Sequence, residues 1–294
     1  MPTDTPAQKL TDAVERASVL DAPAKLLVSK LGWLSKSVKF KELISGTNFG
    51  HPAHPPLTEL VVGSFISATM LDVFAPRAGV AAANRLTGVG IAAFVPTALS
   101  GAGDWVDTEY SDEKSRRIGL VHAVVNVVAL LIYCLALIAR RRGARGAATL
   151  LSLGGAGVLS SAGYLGGHMT FVRGVGVNQT AFESPGPQEW TPVLSGADLE
   201  EGKLHGADAG GVPVLLGRVG GQVYAIHDRC THRGCPLSEG GDALDGHTVT
   251  CFCHGSKFDI RDGALLQGPA IVGQPVFECR EADGKVEVRR GGEE

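Results

Sequence analysis

Two short stretches near the C-terminus gather residues that bind metals: RCTHRGCPL from Arg229 and CFCHGSKFD from Cys251. They hold four of the chain's six cysteines and two of its nine histidines. Cys230 and His232 form a C-x-H pair, Cys251 and His254 a C-x-x-H pair, each on a glycine-flanked loop. Thiolates and imidazoles are strong ligands for transition metals, and two loops that each bring one of both types are able to close on one centre. Zinc competes for the same residues, but structural zinc modules usually pair Cys with Cys and His with His at their own spacings.

The pattern of CTHRGC and CFCHGS resembles the Rieske iron-sulfur proteins, and the resemblance runs from about Gln188 to Arg290. It includes GPA at Gly268 to Ala270, similar to the proline loop that shields the cluster in that family. It implies a [2Fe-2S] cluster with Cys230 and Cys251 as thiolates on one iron and His232 and His254 as imidazoles on the other. Neutral imidazoles remove negative charge from the ligand set and raise the reduction potential. The resemblance also implies an electron-transfer role and a disulfide between Cys235 and Cys253, as in the Rieske subunits of cytochrome bc complexes. Ser256 matches the serine whose hydroxyl donates to a bridging sulfide in high-potential members. Phe258 stands where those members carry a tyrosine, which implies an intermediate potential. Cys134 and Cys279 read as apolar fillers. A terminal oxygenase needs a second iron site with histidine ligands, yet the residues after His254 include no histidine, so no oxygenase catalytic domain is expected. No Gly-rich dinucleotide motif follows a strand.

Such loops need a frame. VPVLLGRV, QVYAIH, HTVTCF and GKVEVRR, separated by Gly/Asp turns, predict an all-β domain over 188–290, an antiparallel sandwich with the cluster loops at its turns. A polar, proline-containing linker over 170–187 precedes it, and 291–294 form a C-terminal tail.

The preceding half is of another kind. Apolar stretches at 57–75, 80–99, 118–139 and 146–167 each approach the roughly 20 residues that cross a bilayer core, which predicts a four-helix transmembrane bundle over 51–169. Asp72 and Arg85 weaken the first two stretches and are expected to pair near the Pro76 turn. Small residues at four-residue spacing, Gly157 with Ser161 and Gly163 with Gly167, favour close helix approach. No internal repeat is visible. Residues 1–50 form an amphipathic tail with no signal-peptide core, in which LLVSKLGWLSKSVKFKELI reads either as a helix on a membrane surface or as an ordinary amphipathic helix. The net charge of -3 excludes a nucleic-acid partner.

HPAHPPL from His51 and GGHMTF from Gly166 resemble a bacterial family of four-helix membrane proteins of unknown function, some fused to Rieske domains. Antiparallel threading brings His54, His122 and His168 to one face. There they bind a b-type haem or quinone, or simply hydrogen-bond the chain; the second role is favoured, because no second histidine pair completes a bis-haem arrangement. RRRGAR from Arg140 places the loop between the third and fourth helices in the cytoplasm and the β domain outside the cell membrane. The arginines before a Gly/Ala-rich span look like a degenerate twin-arginine signal. The tail, with seven Lys/Arg against five Asp/Glu, argues for the reverse. The expected function is a membrane-anchored carrier, among lipid, of single electrons between a membrane donor and a redox partner protein or quinone. The alternatives are a redox sensor and the ferredoxin component of a separate oxygenase.

Overall fold

The computed structural model describes residues 5–108, 112–241 and 243–291, so most of the expected tail at 291–294 lies outside the described residues. The chain forms two units, Met1–Phe40 with Ala53–Val175, and Lys41–Pro52 with Gly176–Glu294. Residues 41–50, expected to belong to the N-terminal tail, and 51–52, expected to belong to the helical domain, therefore group with the β domain.

The helical unit opens with α1 (Pro6–Arg16) and α2 (Asp21–Leu31). Thr5 and Gln8 cap α1 reciprocally, each side chain accepting from the other's backbone N–H. The amphipathic stretch of the tail is not one helix: Gly32 ends α2, a 3₁₀ turn follows, and α3 (Val38–Ser45) starts anew. Ala24 and Val28 pack against Trp105 and Leu120, while Leu26 and Trp33 stay exposed.

Four long helices follow: α4 (His54–Phe74), α5 (Val80–Val106), α6 (Glu113–Arg141) and α7 (Arg145–Gly167), the last continuing as a π turn to Val172. All four are long and apolar enough to cross a membrane. Short connections make successive helices antiparallel. The chain therefore enters and leaves the bundle at the same end.

The α4–α5 and α6–α7 hairpins are built on one plan, an internal repeat hidden from the sequence. His54, Phe65 and Asp72 on α4 correspond at a constant offset to His122, Tyr133 and Arg140 on α6. Thr87, Gly90, Thr97 and Gly101 on α5 correspond likewise to Ser152, Gly155, Ala162 and Gly166 on α7. Phe65 stacks on Tyr133 with centroids 4.1 Å apart, the first lying against Gly90 and the second against Gly155. Arg140 donates to both carboxylate oxygens of Asp72 at 2.8 and 2.6 Å. Thr87 accepts from Arg140 at 3.2 Å and Ser152 donates to Asp72 at 2.7 Å, so each charge is met by the second helix of the opposite hairpin. The expected pairing of Asp72 with Arg85 is thus corrected: Arg85 is exposed, and the bidentate fork of Arg140 satisfies the buried carboxylate more fully.

The β unit holds a six-stranded antiparallel sheet in the order β1-β9-β8-β4-β3-β2 and a three-stranded sheet in the order β5-β6-β7. The strands are β1 (Thr191–Ser195), β2 (Leu204–Asp208), β3 (Pro213–Val219), β4 (Gln222–His227), β5 (Thr248–Thr250), β6 (Lys257–Asp259), β7 (Leu265–Gln267), β8 (Val276–Ala282) and β9 (Lys285–Arg290). Val214 and Leu216 of β3 enter one apolar cluster with Phe277 and Val288, and Leu215 of the same strand enters a second with Ile226 and Phe258. Successive side chains of a strand point to opposite faces, so β3 serves both clusters. The second cluster carries the cysteine loops.

Candidate metal centre

One loop leaves β4 and the other joins β5 to β6, and they turn identically. Cys230 N donates to Cys235 O at 2.9 Å and Gly234 N to Cys230 O at 2.8 Å; Cys251 N donates to Ser256 O at 2.8 Å and Gly255 N to Cys251 O at 2.9 Å. Gly234 and Gly255 have φ of 75° and 79°, a region that penalises a Cβ. The spacing of Cys and His is thereby converted into two matching loop tips.

The tips bring the expected donors together in two pairs, thiol with thiol and imidazole with imidazole. Cys230 and Cys251 are 1% and 2% exposed and hydrogen-bond to one another. His232 and His254 are half-buried, with ring centroids 4.9 Å apart and planes at 86°. Thiols thus lie inward and imidazoles nearer the surface. The Cys235–Cys253 disulfide ties the loops, with Cα atoms 6.6 Å apart. Its sulfurs also approach a His254 nitrogen within 4.8 Å, but sulfurs joined to each other are not thiolates and offer no metal site. Cys134 and Cys279 are free, and Cys279 donates to Val223 O at 2.9 Å.

The donor set fits a cationic metal centre. The hydrogen bond with Cys251, then burial, then the charge of Cys251 hold the Cys230 thiol far above the usual thiol range. The facing sulfurs cannot both lose protons unless positive charge lies between them.

Ser256 is legible in the sequence, whereas Thr231, Asp228, Glu42 and Thr47 escape it. Ser256, fully buried, accepts from Ala270 N at 3.0 Å, leaving its own proton for another acceptor. Thr231 donates to Val272 O at 3.1 Å, and Asp228 accepts from Ser238 N and Oγ at 2.7 and 2.6 Å. Glu42 accepts from Gly268 N at 3.1 Å and Thr47 donates to Ala270 O at 3.0 Å, so segment 41–52 straps the proline loop from its far side. Only the capping chemistry of Asp228 beside Ser238 had a local signal; partners more than two hundred positions away have none.

Each membrane histidine has a hydrogen-bond partner of its own. His54 Nδ1 meets Thr97 O at 3.1 Å, His122 Nδ1 meets Ala162 O at 2.9 Å, and His168 Nε2 meets Glu15 Oε1 at 2.9 Å.

Residues 189–278 match the Rieske [2Fe-2S] domain, and residues 50–179 match a family described as a predicted membrane protein (DUF2231). Ferredoxin CarAc of Metapseudomonas resinovorans is 36% identical over 102 residues, which cover 34% of this chain and 94% of that relative. The chain belongs to the Rieske [2Fe-2S] family. The ferredoxin subunit of anthranilate 1,2-dioxygenase from Burkholderia cepacia is 34% identical over 103 residues, 35% of this chain and 94% of its own length. The terminal oxygenase component CarAa of carbazole 1,9a-dioxygenase from a Sphingomonas species is 36% identical over 110 residues, but the match spans 29% of that relative. The β unit is a Rieske domain that carries a [2Fe-2S] cluster in an electron-transfer role, fused to a membrane domain of four apolar helices.

Proposed function

We propose that this Rieske protein is a membrane-anchored carrier that passes single electrons between a membrane donor and a redox partner protein. Cys230 and Cys251 hold one iron, and His232 and His254 hold the other. When bound, the cluster supplies a one-electron centre whose potential the neutral imidazoles raise. The observation that carries this reading is the arrangement of donors: a buried thiol pair and a half-exposed imidazole pair on two loops tied by a disulfide. The apolar cluster around the thiols excludes water, while the imidazole edges offer a partner the shortest approach.

The ferredoxin relatives favour an oxygenase-type acceptor over a quinone, since one of them is a subunit of a dioxygenase. The domain limits fit this reading, with the Rieske domain at 188–290 and the helical domain at 51–169. Exposed Leu131, Leu135 and Leu150 on the long helices face lipid. Orientation is supported by charge: Arg77, Arg141, Arg142 and Arg145 are exposed on the two hairpin connections, where the only acid, Asp72, is buried against Arg140. That basic end lies in the cytoplasm by the positive-inside rule, and the junctions with the Rieske domain lie outside.

The test is the electron spin resonance spectrum of the reduced full chain in detergent. His232→Ala and His254→Ala are each expected to abolish the Rieske-type signal, and an unchanged signal rejects the ligand assignment. Sustained turnover of the cluster by membrane extracts distinguishes a carrier from a sensor.

A further inference from the structure

The repeat in the helical unit sets three pairs of counterparts along its axis, and their chemistry differs by level. At one end the pair has diverged to opposite charges, Asp72 and Arg140; in the middle it differs by a hydroxyl, Phe65 and Tyr133. At the other end both counterparts are histidine, each seated against a glycine of its own hairpin. A Cβ on Gly101 would lie 2.7 Å from His54 Cε1, and one on Gly166 would lie 3.1 Å from His122 Cε1. Each Nδ1 meets a backbone carbonyl, of Thr97 and of Ala162. A carbonyl only accepts, so each Nδ1 carries the ring proton and each Nε2 keeps its lone pair. That is the pose of a metal-ligating histidine, whose second nitrogen donates to an oxygen that fixes the tautomer. His168 stands outside the set: its Nε2 is held by Glu15, and its counterpart in the first hairpin is Gly103.

We infer that His54 and His122 are the two axial ligands of a b-type haem at this end of the bundle. Zinc takes four ligands, so two imidazoles are too few for it. They suffice for an iron that brings its own equatorial nitrogens, as haem iron does. His54 and His122 each lie about three helical turns before the stacked Phe65 and Tyr133, so they share the sides of α4 and α6 that meet at that stack. Asn126 Nδ2 reaches both His122 Nε2 at 3.1 Å and the His122 carbonyl at 2.9 Å, and keeps the second bond when Nε2 is a ligand. On the preceding turns of α6, Arg116 is 3% exposed; its Nε and Nη2 have no hydrogen-bond partner among the described residues, and Glu113 approaches only to 3.6 Å. A buried guanidinium in that state donates to an anionic oxygen of the kind a haem propionate carries. The inference stands on the helical unit alone and does not depend on the cluster assignment.

The experiment uses the full chain, expressed with a haem precursor, purified in detergent and titrated with hemin. Pyridine haemochrome and reduced-minus-oxidised spectra are expected to give one haem per chain with a sharp low-spin α-band. His54→Leu and His122→Leu each lose that band, His168→Ala keeps it, and His54→Gly recovers it when imidazole is added. The Rieske spin resonance signal persists in every variant, which reports an intact chain and separates failure of this site from failure of the cluster. A wild-type chain that takes up no haem overturns the inference, as does a band that survives both leucine substitutions or disappears equally in His168→Ala.

Discussion

At the scale of single residues, the cluster is expected to be tuned by one hydroxyl that is present and one that is missing. Ser256 is fully buried and oriented by Ala270 N, while Phe258, also fully buried, lies in the apolar cluster that contains Cys230 and Cys251. A hydrogen bond to a charged group contributes about 1.5 to 3 kcal/mol, and only the part that differs between oxidation states moves a potential. With about 1.4 kcal/mol per 59 mV for one electron, Phe258→Tyr is expected to raise the midpoint by tens of millivolts and Ser256→Ala to lower it comparably. Potentiometric titration at fixed pH checks both, and a midpoint unmoved in either variant removes that residue from the tuning. His227 gives a pH effect. Burial holds it below the usual histidine range, Arg229 adds to that, and Glu183 and Asp228 oppose it. The unfolded chain therefore binds a proton that the folded chain refuses, so stability is complete above about pH 6.5 and falls as pH drops below it. Replacing His227 with Gln is expected to flatten the fall in Tm of the full chain between neutral and mildly acidic pH; an identical slope in the variant rules His227 out as its source.

Among elements, the two helical hairpins are locked by the Asp72–Arg140 pair, whose side chains are 6% and 1% exposed. Removing one partner leaves an uncompensated buried charge and is expected to cost about 3 to 5 kcal/mol, whereas replacing both by leucine is expected to be nearly neutral. Thr87 and Ser152 offer a hydroxyl to whichever charge faces them, so the exchanged pair Asp72→Arg with Arg140→Asp is expected to recover most of the loss. Denaturation of the four variants in detergent measures this, and an exchanged pair no more stable than the single variants contradicts the repeat. The strap at 41–52 shows where legibility ends at this scale. Its composition reads as part of a tail, yet Glu42 and Thr47 bond the proline loop through partners that no local spacing announces.

For the whole molecule, the proposed orientation rests on the distribution of arginine. The hairpin connections expose Arg77, Arg141, Arg142 and Arg145, whereas at the opposite end Arg117 is matched by Asp21 and Arg173 by Asp112. A reporter fused after Arg290 is expected to be active outside the cytoplasm; activity confined to the cytoplasm reverses the orientation. Replacing the exposed connection arginines with glutamate is expected to lower the fraction correctly oriented.

The sequence alone determined what depends on neighbours in the chain. C-x-H and C-x-x-H fix two ligand loops because a turn closes over five residues through bonds among those same residues, and an apolar stretch reads as a span because its length meets a bilayer of fixed thickness. The tertiary structure decided what depends on distant partners. Asp72 chose Arg140 over the nearer Arg85, because helix packing and not proximity along the chain brings a fork of donors to a carboxylate. The kinship of His54 with His122 was concealed because their companions differ in type, Phe65 from Tyr133 and Asp72 from Arg140, and only their contacts with matching glycines and with each other restore the correspondence.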